Sequence, residues 1–292
     1  MKKLIYFLVG FFVLVGLSSL GAKFFPEKAG LGEKVGLVEI SGMITDSRDI
    51  VDQISKYRRD DSILGIILRI DSPGGAVAPS QEIYEEVLRT RGEKEIIASL
   101  GSMAASGGYY IASSANHIVA NSGTLTGSIG VVFASSNVQA LIDKIGLKPV
   151  VIKSGKFKDA GSPVRSMTDE EKALLQGVVD DVHSQFVQAI VKGRGLPEVE
   201  VRKVADGRVF TGKKALELKL VDQLGGLEDS IQWMQDKLNL VERPRIIQKK
   251  EETNLLNFLF GSLPEWRSIA PSQLSKWPIP QFLWLFGNVE WR

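Results

Sequence analysis

The chain reads as an α/β protein built on a largely parallel sheet, and three observations predict it. Apolar runs rich in Ile, Val and Leu recur at residues 35–40, 63–70, 95–100, 117–120 and 149–152. Several are nearly continuous rather than alternating, as in strands covered on both faces. Helical patterns lie between them, at residues 50–58, 79–91, 106–113 and 137–145, and such alternation implies right-handed crossovers. The composition, 44% hydrophobic and 24% charged over 292 residues, is that of a folded globular chain and excludes a disordered, collagenous or multi-span membrane protein.

The elements follow in order. Lys2 and Lys3 precede residues 4–22, which carry no charge. As a helix rising about 1.5 Å per residue this stretch reaches roughly 28 Å, close to the hydrocarbon thickness of a bilayer. A cleaved signal peptide is the rival reading, but Leu20-Gly21-Ala22 puts a bulky Leu where a small residue is needed. The expectation is an uncleaved signal anchor with a cytoplasmic tip at residues 1–3 and an extracytoplasmic bulk, because the lysines hold the N-terminus inside. Residues 23–33 form a linker. The strand and helix patterns then define a domain at residues 34–250. Its longest helix spans residues 168–192, opened by a Thr168/Glu171 capping box and striped by Leu174, Leu175, Val178, Val182, Phe186 and Ile190. That stripe packs on the sheet or on another subunit. A helical stretch at residues 227–238 completes the domain. The tail at residues 251–292 holds Trp266, Trp277, Trp284 and Trp291, four of the five tryptophans. It is either a contact surface for membrane or partner, or a strap on its own domain.

Charge and rare residues remove several functions. Lys and Arg total 36 against 34 Asp and Glu, too balanced for a nucleic-acid binder by charge alone. With no cysteine there is no disulfide framework, thiol nucleophile or thiolate metal site. His117 and His183 are the only histidines, so histidine-rich metal chemistry is not expected.

Three glycine- and serine-rich junctions follow predicted strands, at the sheet edge where α/β proteins bind ligands. Asp71-Ser72-Pro73-Gly74-Gly75 can bring backbone N–H groups close to a reacting oxygen. In Gly101-Ser102-Met103-Ala104-Ala105-Ser106-Gly107-Gly108, Ser106 is either an N-cap or a nucleophile cleared of steric cover by the two glycines. The string is not the G-x-S-x-G of an α/β-hydrolase elbow. A nucleophilic serine needs a base. Both histidines read as structural, and Lys153, Lys156 and Lys158 of the third junction are candidates, because a desolvated lysine can be neutral near working pH. Local sequence does not choose among them.

Asp71–Gly75, Ala104–Tyr110 (AASGGYY), Thr124–Gly130 (TLTGSIG) and Ser154–Asp159 (SGKFKD) resemble, in order and spacing, the blocks of the signal peptide peptidase A family in its short bacterial form. The resemblance covers about residues 35–240 and implies the Clp protease/crotonase-type α/β fold. It implies a membrane-anchored serine endopeptidase with a Ser–Lys dyad, no metal and no cofactor. The family assembles as a homo-oligomer whose neighbouring subunits share the dyad, and it degrades remnant signal peptides, with misassembled membrane or secreted proteins as further substrates. Carried over by motif, Ser106 is the nucleophile, Lys158 the base and Ser128 the residue that orients the lysine. Gly74 and Gly107 are the oxyanion donors, with the choice between Gly74 and Gly75 open. Asp159 beside Lys158 must face away, because an ion pair would keep the amine protonated. Three other readings share features with this one: a peptidase of the stomatin-partner type, a crotonase-like acyl-coenzyme A enzyme, and a non-catalytic membrane scaffold.

Overall fold

The computed structural model describes residues 32–249 and the backbone of residues 283–285. The expected span at residues 4–22 and the rest of the aromatic tail lie outside the described residues. No helix among the described residues is long and apolar enough to cross a membrane.

Eight strands form one sheet. β1 (Lys34–Ser41), β2 (Ile63–Ser72) and β4 (Glu95–Ala105) make its centre, and β9 (Arg245–Gln248) flanks β1. On its far side β4 pairs with two short strands in succession. β5 (His117–Ala120) meets its residues 97–100 and β6 (Leu125–Gly127) its residues 103–105. β8 (Gln223–Leu224) extends the sheet from β5, and β7 (Val209–Thr211) extends it from β6. Every pairing is parallel except β6–β7. A separate short strand, β3 (Gly74–Ala76), follows β2 and pairs with β10 (Leu283–Leu285).

Both faces of the sheet are covered, which is why its strands read as continuous apolar runs. On β2, Ile66, Leu68 and Ile70 join a core with Ile54 and Tyr57 of α1 (Arg48–Arg59) and Ile83 of α2 (Val77–Thr90). Tyr109 of α3 (Gly107–Ala112) and Phe186 of α5 (Asp169–Arg194) belong to the same core. Ile67 between them faces the opposite side, with Ile231 and Met234 of α8 (Leu227–Lys237). β4 and β5 repeat the division: Ile96, Ala98, Leu100, Ile118 and Ala120 lie on the first face, Ile97 and Val119 on the second. The period of two is the pleat of the strand. Each such side chain contributes roughly 1.5–3 kcal/mol by leaving water. Helix α1 lies so close to β1 that a Cβ on Gly36 would meet the Tyr57 ring at 2.4 Å.

Helix α5 begins with the expected capping box. Thr168 accepts from Glu171 N–H, and the Glu171 carboxylate accepts from Thr168 N–H. It ends at Gly195, whose φ of 66° only glycine adopts readily. Its apolar stripe divides in two: Phe186 and Ile190 are fully buried, whereas Leu174 is 43% exposed and Val178 is exposed as well. Two expectations fail nearby. Residues 149–152 form no strand, and Val150 and Ile152 are 84% and 96% exposed. The helix expected at residues 137–145 shortens to α4 (Gln139–Lys144), which has no buried residue. Apolar patterning makes a strand only where a neighbouring strand supplies hydrogen bonds, and among the described residues none does so here.

Phe186→Ala removes a fully buried ring from the principal core and is expected to lower unfolding free energy by about 3–5 kcal/mol. Val241→Ala, at a 95% exposed position, is expected to stay within about 0.5 kcal/mol. Urea denaturation followed by circular dichroism measures both.

Candidate active site

The parallel register brings two strand ends and two loops to one edge. Ser72 of β2 pairs with Ala104 of β4, and Ala105 pairs with Gly127 of β6. The chain therefore leaves the sheet side by side at Pro73–Gly75, at Ser106–Gly108 and at Ser128. Ser106 N–H donates to the Gly127 carbonyl at 2.9 Å, and Ser128 N–H donates to the Arg208 carbonyl at 2.8 Å. Both serines have positive φ, 53° and 50°. Such conformations cost a non-glycine residue on the order of 1–3 kcal/mol and persist only where the surroundings impose them.

Ser106 precedes α3 with φ 53° and ψ −119°, and its side chain caps nothing. The Oγ is buried and has no hydrogen-bond partner among the described residues. The N-cap reading of this residue is therefore set aside. A structural serine in the interior satisfies its hydroxyl, as Ser113 and Ser114 do by donating to the carbonyls of Tyr110 and Ile111. A side chain at either following glycine would be crowded. A Cβ on Gly107 would lie 2.6 Å from Ser80 Oγ, and one on Gly108 would lie 3.0 Å from the Ser72 carbonyl.

The first junction folds against this serine. Gly74 N–H donates to Ser72 Oγ at 3.1 Å, and that hydroxyl donates to the Gly42 carbonyl at 2.6 Å. The Gly74 amide is thus engaged. The Gly75 amide nitrogen lies 3.3 Å from the Cβ position of Gly107, so it is the one that faces the second glycine block.

The third junction separates its lysines by their partners. Lys153 Nζ is 2.5 Å from Asp159 Oδ1, and Lys156 pairs with Glu170. Lys158 is exposed and makes no ion pair among the described residues. Asp159, the awkward neighbour, is held away from it. Arg165 Nε donates to Asp159 Oδ2 at 2.9 Å, and its two Nη atoms grip Glu171 at 2.5 and 2.9 Å. Hydrogen bonds from Arg165 and then Lys153 hold the Asp159 carboxyl well below the usual carboxylate range. The Arg165 clamp holds Glu171 down to about 2. Within one chain Lys158 does not hydrogen-bond Ser106, whose hydroxyl has no partner among the described residues.

The loop that carries Lys158 exposes Val132, Leu141, Ile145, Leu147, Val151 and Phe157, in addition to Val150 and Ile152. These side chains form an exposed apolar group among the described residues. Beside Ser128 a cavity of about 320 Å³ is lined by Val131, Val179, Asp180, His183 and Asp206, and His183 Nε2 is buried without a partner. His117 is remote from this edge. It stacks on Trp233 with ring centroids 4.4 Å apart, and burial lowers its pKa.

Sequence reasoning named Ser106, Ser128, Gly107 and the lysine cluster, and the fold brings the first three together. It did not find the roles of Ser72 and Arg165. Ser72 was legible only as a turn residue. Arg165 stands six positions from both Asp159 and Glu171, too far for side chains to meet along one helix face or one strand.

The Ser106 hydroxyl is buried with no partner among the described residues, and it is comparison with known proteins that gives the class. Peptidase family S49 matches residues 89–241. A protease-named protein of Synechocystis sp. is 44% identical over 71% of this chain and 76% of its own length. A protein of Enterococcus faecium named for signal peptide peptidase SppA is 30% identical over 83% and 75%. The chloroplastic serine protease SPPA of Arabidopsis thaliana is 35% identical over 70% of this chain and 30% of that protein. The chain is a serine protease, not an acyl-coenzyme A enzyme or an inert scaffold. It belongs to peptidase family S49, the signal peptide peptidase A family.

The Arg165 clamp has a measurable consequence. The folded Glu171 carboxyl titrates near 2, below its ordinary 4.5, so its contribution to stability is complete above about pH 4.5 and is lost as pH falls through 2. In an NMR carboxyl titration, Arg165→Ala is expected to move the Glu171 midpoint back toward 4.5.

Proposed function

We propose that the protein is a membrane-anchored endopeptidase of the Clp protease/crotonase-type fold that degrades remnant signal peptides with a Ser106–Lys158 dyad. The observation that carries the reading is the Ser106 hydroxyl, buried on a strained backbone with no partner. A hydroxyl kept unpaired is free to be activated by a group that arrives from elsewhere. In the proposed reaction Lys158 of a neighbouring copy takes the Ser106 proton as Oγ attacks the peptide carbonyl. The tetrahedral oxyanion is held by the amides of Gly107 and Gly75, since the Gly74 amide is occupied by Ser72. Collapse breaks the C–N bond, the lysine proton passes to the leaving amine, and water drawn by the neutral lysine releases the acyl group from Ser106. Ser128, beside Ser106 through the Ala105–Gly127 pairing, orients the incoming lysine.

Two features support a dyad shared between copies. Lys158 has no carboxylate partner among the described residues, and its loop exposes apolar side chains. Docking of that loop on a second chain would desolvate the amine, which a general base requires. Residues 4–22 would anchor the enzyme, with the N-terminus cytoplasmic and the catalytic domain across the membrane. The relative named for signal peptide peptidase supports the substrate class.

Hydrolysis of a signal-peptide-like substrate by the full chain tests the reading. Ser106→Ala and Lys158→Ala are each expected to lower kcat by about 10⁴-fold or more, whereas Lys153→Ala and Lys156→Ala retain it. Loss with Lys156→Ala and retention with Lys158→Ala would overturn the base assignment. Mixing the two inactive variants after dissociation and reassembly is expected to restore about one quarter of wild-type activity, because one pairing in four unites an intact serine with an intact lysine. No recovery from mixed assemblies would show the dyad to lie within one chain.

A further inference from the structure

The fold treats the two histidines differently. His117 Nε2 pairs with Gln223 Oε1 at 3.3 Å, and its ring stacks on Trp233. His183 Nε2 is buried with no partner among the described residues. A histidine kept only for packing satisfies its buried ring nitrogens, because an unpaired one forfeits its hydration and gains nothing in return. His183 lies on α5 between the exposed Val178 and the fully buried Phe186, where the helix passes from the open surface into the core. There it lines the cavity that Ser128 also lines.

The cavity adjoins the reactive edge. Ser128 follows Gly127, whose carbonyl accepts the Ser106 N–H, so one wall begins a single residue beyond the Ser106 contact. Val131, Val179 and Ala205 make other parts of the lining apolar. Two carboxylates border it, and they are not equivalent. Asp206 is consumed by Arg208, whose Nε donates to it at 2.7 Å and holds its carboxyl down to about 2. Asp180, exposed at the rim, accepts from Gln176 at 2.7 Å and makes no ion pair among the described residues. Apolar walls with a few placed polar groups are the make-up of a ligand pocket, and the volume suits one large side chain.

We propose that His183 is a specificity-determining residue, the polar end of a pocket that selects a substrate side chain with an apolar body and a hydrogen-bonding tip, tyrosine above all. The role assigned to His183 rests on the reading of Ser106 as nucleophile given above. An extended peptide held for attack by Ser106 directs successive side chains to opposite faces, and alternate ones reach the recesses that flank the site. A phenol suits this recess whichever ring nitrogen of His183 carries the proton, because its hydroxyl both donates and accepts. Phenylalanine fills the same apolar volume but leaves Nε2 unpaired. The pocket therefore discriminates through what the wrong side chain fails to satisfy.

Peptides that carry Tyr or Phe at each position in turn around the cleaved bond test this with the full chain. At one position kcat/KM is expected to favour Tyr about ten- to a hundredfold. His183→Leu is expected to reverse that ratio, slowing the Tyr peptide and speeding the Phe peptide, which a loss of folding cannot do. His183→Gln keeps a donor and an acceptor on a neutral side chain and is expected to retain most of the preference. Equal rates for Tyr and Phe at every position in the unmodified protein would overturn the pocket even where hydrolysis depends on Ser106, and so would a ratio untouched by His183→Leu. A preference for Lys over Tyr that Asp180→Asn abolishes and His183→Leu leaves intact would overturn it by giving the selection to the rim carboxylate. An effect of His183→Leu on sedimentation alone would overturn it by making a second copy the occupant. Calorimetric binding of the same peptides to the Ser106→Ala protein needs no catalysis. A Tyr-over-Phe difference in Kd that is lost with His183→Leu, in a protein that hydrolyses no peptide, would uphold the pocket and count against the proposed function alone.

Discussion

The site depends on the length of β4. The strand outruns its first neighbour, β5, and its last residues find new partners, Ser72 on one side and the β6 residues Leu125–Gly127 on the other. That register turns three distant stretches of sequence into adjacent exits from one sheet edge. It also holds the Ser106 backbone at φ 53°, because its N–H is committed to the Gly127 carbonyl while the next residue starts a helix. The strain and the unsatisfied hydroxyl are maintained by a core packed on both faces of the sheet, which has stability to spare for one unfavourable residue.

The electrostatics of the lysine loop follow a similar logic. Four charged groups, Lys153, Asp159, Arg165 and Glu171, neutralise one another in a chain of hydrogen bonds. Arg165 does most of this, since its planar fork satisfies Glu171 with two donors while its Nε reaches Asp159. The effect on Lys158 is indirect but consequential. Its sequence neighbour Asp159 is held in another network, and Lys158 presents itself to solvent without a counter-charge. Among the described residues Ser106 keeps a buried hydroxyl without a partner, and Lys158 stays exposed. The surrounding loop and the N-terminal half of α5 expose apolar side chains, among them Ile152, Phe157, Leu174 and Val178.

The tail bears on the same edge from the other direction. β3 is bridged to Ile44 and pairs with β10 on its remaining side.

Much of this was legible in the amino-acid order. Continuous Ile/Val/Leu runs announced a sheet buried on both faces, the Thr168–Glu171 pair announced the start of α5, and small residues around Ser106 announced a close backbone approach. These are local signals, each set by the period of a strand or by a cap within four residues. The same reasoning misjudged residues 149–152, because β-propensity cannot report whether a pairing strand exists. It left open whether Ser106 was a cap, which of three lysines stood unpaired, and which of two glycines had a free amide. Those questions were decided by contacts between residues far apart in the chain: Gly127 with Ser106, Ser72 with Gly74, Arg165 with Asp159. Sequence alone determined the kind of scaffold and the chemistry available at its edge. Tertiary structure decided which groups were consumed by neighbours and which were left over to react, since hydrogen-bond satisfaction is a property of the whole fold.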